Sequence, residues 1–219
     1  MYFQFSPTRF RNNLAIRFKR KLKIITEKLR GIDLTQVENN KRLGLEEFGE
    51  GIFYAPSEKV DLINLFNQLD IKTSDKILDL GAGKGAAMLL MDEYGFNEVK
   101  GVEISKDLCF IANKNFQKLS KDHLKVIESD ARDYTDLDNF NYFYFFHPFP
   151  YDVFDEVLKN IYQSTERKPR FVCLIYYNPA YDDLFKKKAW LTLLKKVEGW
   201  RYDTCIYVNL LTEGSPLNS

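Results

Sequence analysis

The chain has 219 residues, 45% of them apolar and 29% charged, proportions that suit one globular domain with a well-buried core and exclude a disordered polymer. A formal net charge of +1 argues against a dedicated nucleic-acid binder. The balance is uneven, since residues 1–30 hold nine Lys/Arg and only Glu27 as an acid, a net of +8, and leave about −7 for the remainder.

No run approaches the roughly 18 consecutive apolar residues of a membrane span. The start of the chain has no apolar h-region followed by a cleavage-like site, so a cytoplasmic protein is expected. Cys109, Cys173 and Cys205 sit far apart in apolar runs without metal-ligand spacing. Buried, reduced thiols are expected from them, and no metal site.

In chain order, Leu14, Phe18, Leu22, Ile25 and Leu29 recur at helical spacing, with Arg17, Lys19, Arg20, Lys21 and Lys23 around the other faces. The simplest expectation is a helix that packs its apolar stripe on the domain. A lid over an acceptor pocket, or contact with an anionic surface through residues 9–30, are the alternatives. Residues 31–56, with Gly44, Gly49, Gly51 and Pro56, read as a connecting segment or partial lid. Residues 1–54 thus form a basic helical extension, and 55–212 the main domain.

Ser57 is placed to cap a helix using Val60, Ile63, Phe66 and Leu69. Strand 76–80 then leads to a helix over 85–94, and strand 98–103 to a helix capped by Ser105. Strands 124–129 and 141–146 follow. Asp152 with Asp155 resembles a capping box and opens a helix through Val153, Val157 and Ile161. Strand 171–177, a short helix near 181–188, and strands 191–198 and 201–210 complete the pattern. Alternating β and α units give a parallel sheet covered by helices on both faces. The final pair is antiparallel, because Gly199-Trp200 is too short for a crossover.

The strongest chemical signal is Ile77-Leu78-Asp79-Leu80-Gly81-Ala82-Gly83-Lys84-Gly85, a buried strand ending in a glycine-rich turn before a helix. Ligands of such sheets sit beyond the carboxyl ends of the strands. A Walker A motif is absent. Gly81-x-Gly83-x-x-Ala86, with Glu103 about twenty residues on, formally fits a dinucleotide fingerprint and keeps an NAD-dependent oxidoreductase open. Asp79 and Asp130 count against it: an acid beside a pyrophosphate repels it, whereas it suits an ammonium or sulfonium ligand.

Ile77–Gly85, Gly101-Val102-Glu103-Ile104-Ser105 and Glu128-Ser129-Asp130-Ala131 together resemble the class I S-adenosylmethionine-dependent methyltransferases over about residues 55–210. The cofactor half also resembles the non-SET histone-lysine methyltransferases, and the later aromatic strands resemble a bacterial subgroup of the class. The resemblance implies a Rossmann-like α/β fold with a seven-stranded mostly parallel sheet, its last strand antiparallel. It implies that Asp79 and the backbone of Gly81, Ala82 and Gly83 face the methionine end of S-adenosylmethionine. Glu103 would accept from the ribose hydroxyls with Ile104 beside it, and Asp130 from the adenine amino group with the Ala131 amide nearby.

The run Tyr142–Phe146 ends in His147-Pro148-Phe149-Pro150, where methyltransferases commonly carry an Asn-Pro or Asp-Pro motif lining the acceptor pocket. His147 either takes the acceptor's proton or packs structurally. Tyr177-Asn178-Pro179 closes the next strand and should place Asn178 beside His147, with Tyr54 as a further supporting group. The expected activity is methyl transfer to an acceptor, a small molecule or glycan before a protein. A cofactor-binding protein without catalysis is the other alternative. A chain truncated to begin near Leu45 is expected to keep cofactor affinity and, if the extension is a lid, to lose turnover.

Overall fold

The computed structural model describes residues 14–43 and 53–209. Gly44, Gly49, Gly51 and Leu210, and the side chains of Leu14 and Arg17, lie outside the described residues. The first element is helix α1 (Leu14–Leu29), followed by a short ribbon in which β1 (Glu38–Asn39) pairs antiparallel with β2 (Phe53–Tyr54), with α2 (Asn40–Leu43) after β1. Helix α3 (Lys59–Phe66) leads into the sheet.

Alternating units then run β3 (Lys76–Leu80), α4 (Ala86–Glu93), β4 (Glu98–Glu103), α5 (Lys106–Lys118), β5 (Lys125–Glu128), β6 (Tyr142–Phe146), α6 (Tyr151–Arg167), β7 (Cys173–Tyr177), α7 (Asp182–Lys186), β8 (Leu191–Val197) and β9 (Thr204–Asn209). Strand order is β5-β4-β3-β6-β7-β9-β8. The first five are mutually parallel, and β9 runs antiparallel to both β7 and β8. This is the expected seven-stranded Rossmann-like sheet. The chain order reverses beside β3, which opens a crevice at the carboxyl ends of β3, β4 and β6.

Side chains alternate across the strands and feed two apolar layers. Tyr142 and Tyr144 join Ile77, Met88, Met91 and Phe66 on one face. Phe143 and Phe145 join Leu78, Phe154, Leu158 and Phe185 on the other. Cys109, Cys173 and Cys205 are buried free thiols, as expected. Burial pushes the Cys109 and Cys205 thiols up to about 12.

Four local expectations need correction. The stripe Phe18, Leu22, Ile25 and Leu29 does not pack on the domain; those side chains are 62%, 47%, 54% and 84% exposed. The face turned inward carries Glu27, which accepts from the amides of Leu34 and Thr35 and from the Thr35 hydroxyl. These bonds to the following segment outweigh the apolar pattern. Ser57 does not cap α3, whose N-cap is Glu58 without a side-chain bond, because the Ser57 hydroxyl pairs with that of Tyr144 at 2.8 Å. Helix α3 buries Leu62, Leu65 and Phe66 and leaves Val60 exposed. The Asp152/Asp155 capping box does not form: α6 starts from Pro150 without a side-chain cap, and Asp155 pairs with Lys188.

One buried acid holds the far end of the sheet. Asp61 on α3 accepts from the Tyr177 hydroxyl at 2.6 Å and from the amides of Trp200, Arg201 and Tyr202 at 2.5, 3.1 and 3.3 Å. It thereby ties the turn between β8 and β9 to α3. Its position in an amphipathic helix gives no hint of those partners, 116 to 141 residues away in sequence.

Candidate active site

A cavity of ≈ 370 Å³ opens at the carboxyl ends of β3, β4, β6 and β7, within the range of small-ligand sites. All the sequence-derived site residues line it: Tyr54, Asp79, Gly81, Ala82, Gly83, Glu103, Ile104, Asp130, Ala131, His147 and Asn178. Topology explains the convergence. Neighbouring strands β3 and β4 deliver Asp79 and Glu103 to the same end of the sheet, Glu103 two positions beyond Gly101, the partner of Asp79, and the β6–β7 register, Phe146 opposite Tyr177, sets His147 beside Asn178.

The glycine loop is closed from above. Gly81 has φ +90°, and a Cβ there would lie 2.4 Å from Pro148 Cβ. Gly83 has φ +55°, and a Cβ would meet the Tyr54 ring at 2.3 Å. Two glycines thus let Pro148 and Tyr54 seat directly on the loop. The Gly81 and Ala82 amides both donate to the Val102 carbonyl, and the Gly83 amide donates to Glu103 Oε2 at 2.9 Å. These amides already have protein acceptors, which leaves no ready cradle for a pyrophosphate.

Two carboxylates dominate the electrostatics. Asp79 is buried, and desolvation together with the nearby Glu103 charge pushes its carboxyl up to about 8. Burial also raises Glu103, against the amides of Ser105, Gly83 and Ile104 that stabilise its charge. A buried acid pair of this kind favours a cationic ligand, which relieves the repulsion as it binds. The donor set therefore fits the methionine end of S-adenosylmethionine, with its ammonium and sulfonium charges. Asp130 lies on the wall in a bidentate pair with Arg132, the shortest contact 2.7 Å, and that pairing holds its carboxyl below the usual range.

The opposite wall is aromatic and includes Tyr144, Phe146 and Tyr202. His147 and Asn178 both adopt left-handed backbone conformations, φ 42° and 56°, uncommon for non-glycine residues and frequent at sites. His147 Nδ1 is 2.6 Å from the Tyr176 hydroxyl, which itself accepts from the Tyr181 amide at 3.2 Å. The Tyr176 hydroxyl thus links the His147 ring to the start of α7, and which of the two groups donates follows from the histidine tautomer. Burial lowers His147 to about 4, so the ring is neutral. The Tyr54 hydroxyl donates to the Leu34 carbonyl at 2.8 Å, so the part of Tyr54 that covers the loop is its ring.

Sequence reading missed Lys84. Its side chain is fully buried, and Nζ donates to Asp33 at 2.7 Å, the Gln36 carbonyl at 3.0 Å and Glu38 at 2.9 Å. Asn115 on α5 bonds both the amide and carbonyl of Asp33. A lysine in a glycine loop looks like a surface cation, and its partners lie 46 to 51 residues upstream with no motif marking them. Tyr176 was also missed, hidden in an aromatic run that reads as core. Among the described residues no group of three or more His, Cys, Asp or Glu side chains is placed to hold a metal ion, and no helix is long and apolar enough to cross a membrane.

Residues 77–168 match the family model described as a methyltransferase domain. Similar solved structures include an RNA methyltransferase from Salinibacter ruber in complex with S-adenosyl-L-homocysteine (16% identity, TM-score 0.56, covering 75% of this chain and 100% of that one). A ribosomal protein L11 methylase from Lactobacillus delbrueckii subsp. bulgaricus aligns at 11% identity and TM-score 0.54, over 68% of this chain and 76% of that one. The mitomycin 7-O-methyltransferase MmcR aligns at 12% identity and TM-score 0.54, over 68% and 52%. No curated protein matches the sequence. The family match spans the glycine loop and its acid pair, so residues 77–168 carry a methyltransferase domain on the class I fold, and S-adenosylmethionine is the cofactor that domain implies.

Proposed function

We propose that this chain transfers a methyl group to a small molecule or glycan held against the aromatic wall, in the cytoplasm. The observation that carries the reading is one cavity with the buried Asp79–Glu103 pair on one side and His147 with Asn178 on the other. When bound, S-adenosylmethionine supplies an electrophilic methyl group on a positively charged sulfur.

Asp79 would neutralise the methionine end and Glu103 would accept from the ribose hydroxyls. Asp130 and the Ala131 amide would meet the adenine edge, with Ile104 packing beside it. His147, neutral near pH 7, orients the acceptor or takes the proton it loses. Asn178 supplies both donor and acceptor groups for orientation. Positioning of this kind lowers the barrier by fixing the acceptor in line before reaction.

Residues 1–54 serve as a cover, supported by the Tyr54 ring on Gly83 and by the Lys84 pairs with Asp33 and Glu38. The basic stretch 9–30 meets an anionic partner. The similar structures act on RNA, a ribosomal protein and mitomycin, so the fold alone does not choose the acceptor class. The test is a transfer assay with methyl-labelled cofactor against small alcohols and amines, oligosaccharides, and a cell protein extract. Label in the small-molecule or oligosaccharide fractions, lost in His147→Ala with cofactor affinity kept, supports the reading. Label confined to protein overturns the acceptor class.

A further inference from the structure

Among the described residues nothing covers the apolar row of helix α1, and its inward side carries Glu27 and Arg20 beside the half-buried Ile24, the reverse of a helix serving a core. Phe18, Leu22, Ile25 and Leu29 form one exposed row at spacings of 4, 3 and 4. Glu27, the one acid on the helix, faces the protein, where it satisfies Leu34 and Thr35. Arg20 also points inward, to the Thr35 carbonyl and the cavity rim. What remains outside is four large apolar side chains bordered by exposed lysines, with Lys21 and Lys28 along one edge and Lys19 along the other, while Lys23 turns back toward Glu27 at 3.9 Å.

We infer that α1 is an interfacial helix that docks the enzyme on an anionic lipid bilayer, lying in the plane of the membrane with its apolar row among the acyl chains. The inference deepens the reading that residues 9–30 meet an anionic partner, and is independent of which acceptor is methylated. Three features select lipid. A surface for phosphates alone has no use for four exposed apolar side chains between its lysines, whereas a bilayer takes both: the row enters the headgroup boundary and the lysine stems snorkel to the phosphates. A second copy of the chain would bring two cationic borders together, and like charges disfavour that pairing. A helix of 16 residues is only about 24 Å long, too short to cross the roughly 30 Å hydrocarbon core. Because Arg20 on the inner side reaches the cavity rim, docking sets that rim about one helix diameter, ~10 Å, from the headgroups.

The test is co-sedimentation of the full chain with vesicles of phosphatidylcholine, alone or with phosphatidylglycerol as a third of the lipid. Two variants accompany it, Leu22→Glu with Ile25→Glu, and Lys21→Gln with Lys28→Gln. All four positions are exposed, and thermal midpoint and S-adenosylmethionine affinity are measured in parallel to confirm an intact fold. The expected result is binding to the anionic vesicles only, weakened about tenfold or more by either variant, the scale of losing buried apolar side chains in the first and two lysines near an anionic surface in the second. No binding to anionic vesicles overturns the inference, as does binding that falls with salt yet ignores the glutamate variant. A heparin column separates the two readings: retention on heparin without vesicle binding keeps an anionic partner and removes the lipid. Conversion of a dimer to a monomer by the glutamate variant, with no vesicle binding, assigns the row to a second copy instead.

Discussion

The hydroxyl of Tyr176 lies 2.6 Å from Nδ1 of His147, at the point where two adjacent strands end. The contact orients the histidine ring, while burial sets its charge. Nothing in a Phe/Tyr-rich strand followed by His-Pro announces such a pair.

A neutral His147 has a spectroscopic consequence. Its pKa near 4 lies below the 6.5 of a free imidazole, so its ring resonances should stay flat between pH 5.5 and 8. The signal is identified as the one lost in His147→Gln. A lowered histidine also makes folding stability fall as pH drops from about 6.5 to about 4, since the unfolded chain takes the proton first. Tyr176→Phe should leave the lowered titration in place, because burial causes it, and lower turnover about tenfold or more with cofactor affinity unchanged, as expected for loss of one orienting hydrogen bond.

Asp79 gives the opposite pH signature. Its carboxyl titrates near 8 in the folded protein and near 4 in the unfolded chain, so the folded form holds the extra proton in between. Stability from this group is full below about pH 4 and is lost as pH rises toward 8. Asp79→Asn keeps the hydrogen-bonding shape without the charge. Its melting temperature without cofactor should therefore rise relative to the native chain as pH increases from 5.5 to 8, while its affinity for S-adenosylmethionine falls. A constant difference across that range would contradict the assignment.

Removing Asp61 tests the tie between α3 and the β8–β9 turn, which carries Arg201 and Tyr202 to the cavity wall. Asp61→Ala leaves the three amides of 200–202 and the Tyr177 hydroxyl without their acceptor. A cost of about 3 kcal/mol is expected, equivalent to a drop of roughly 6–12 °C in melting temperature for a chain of this size.

Truncation discriminates between the extension's two parts. A chain beginning near Leu45 would leave the buried Lys84 cation without Asp33 and Glu38, and an unpaired buried charge is strongly destabilising. Contrary to the expectation from sequence, cofactor affinity should then fall along with turnover. A chain beginning at Glu27 keeps every partner of Lys84 and should bind cofactor normally. Calorimetry on both chains checks the contrast.

Much of this was legible beforehand because local patterns carry it. Strand-loop-helix alternation around Asp79–Gly85 and Glu103–Ser105 is short-range, and the parallel sheet follows from crossover lengths. The acid at each strand end and the pairing of His147 with Asn178 come with that topology. What was not legible depends on contacts far apart in sequence. Tyr144 took the hydroxyl expected to cap α3, and Lys188 took the acid expected to cap α6. In each case a tertiary partner outcompeted a local rule worth about 1 kcal/mol.

The most direct test of the account is a calorimetric titration of the native chain and Glu103→Ala with S-adenosylmethionine, S-adenosylhomocysteine and NAD. Both adenosyl ligands should bind and NAD should not. Glu103→Ala should lose about 1.5–3 kcal/mol of S-adenosylmethionine affinity, roughly 10- to 150-fold, the scale of hydrogen bonds to a charged group. Binding of NAD alone, or unchanged S-adenosylmethionine affinity in Glu103→Ala, would contradict it.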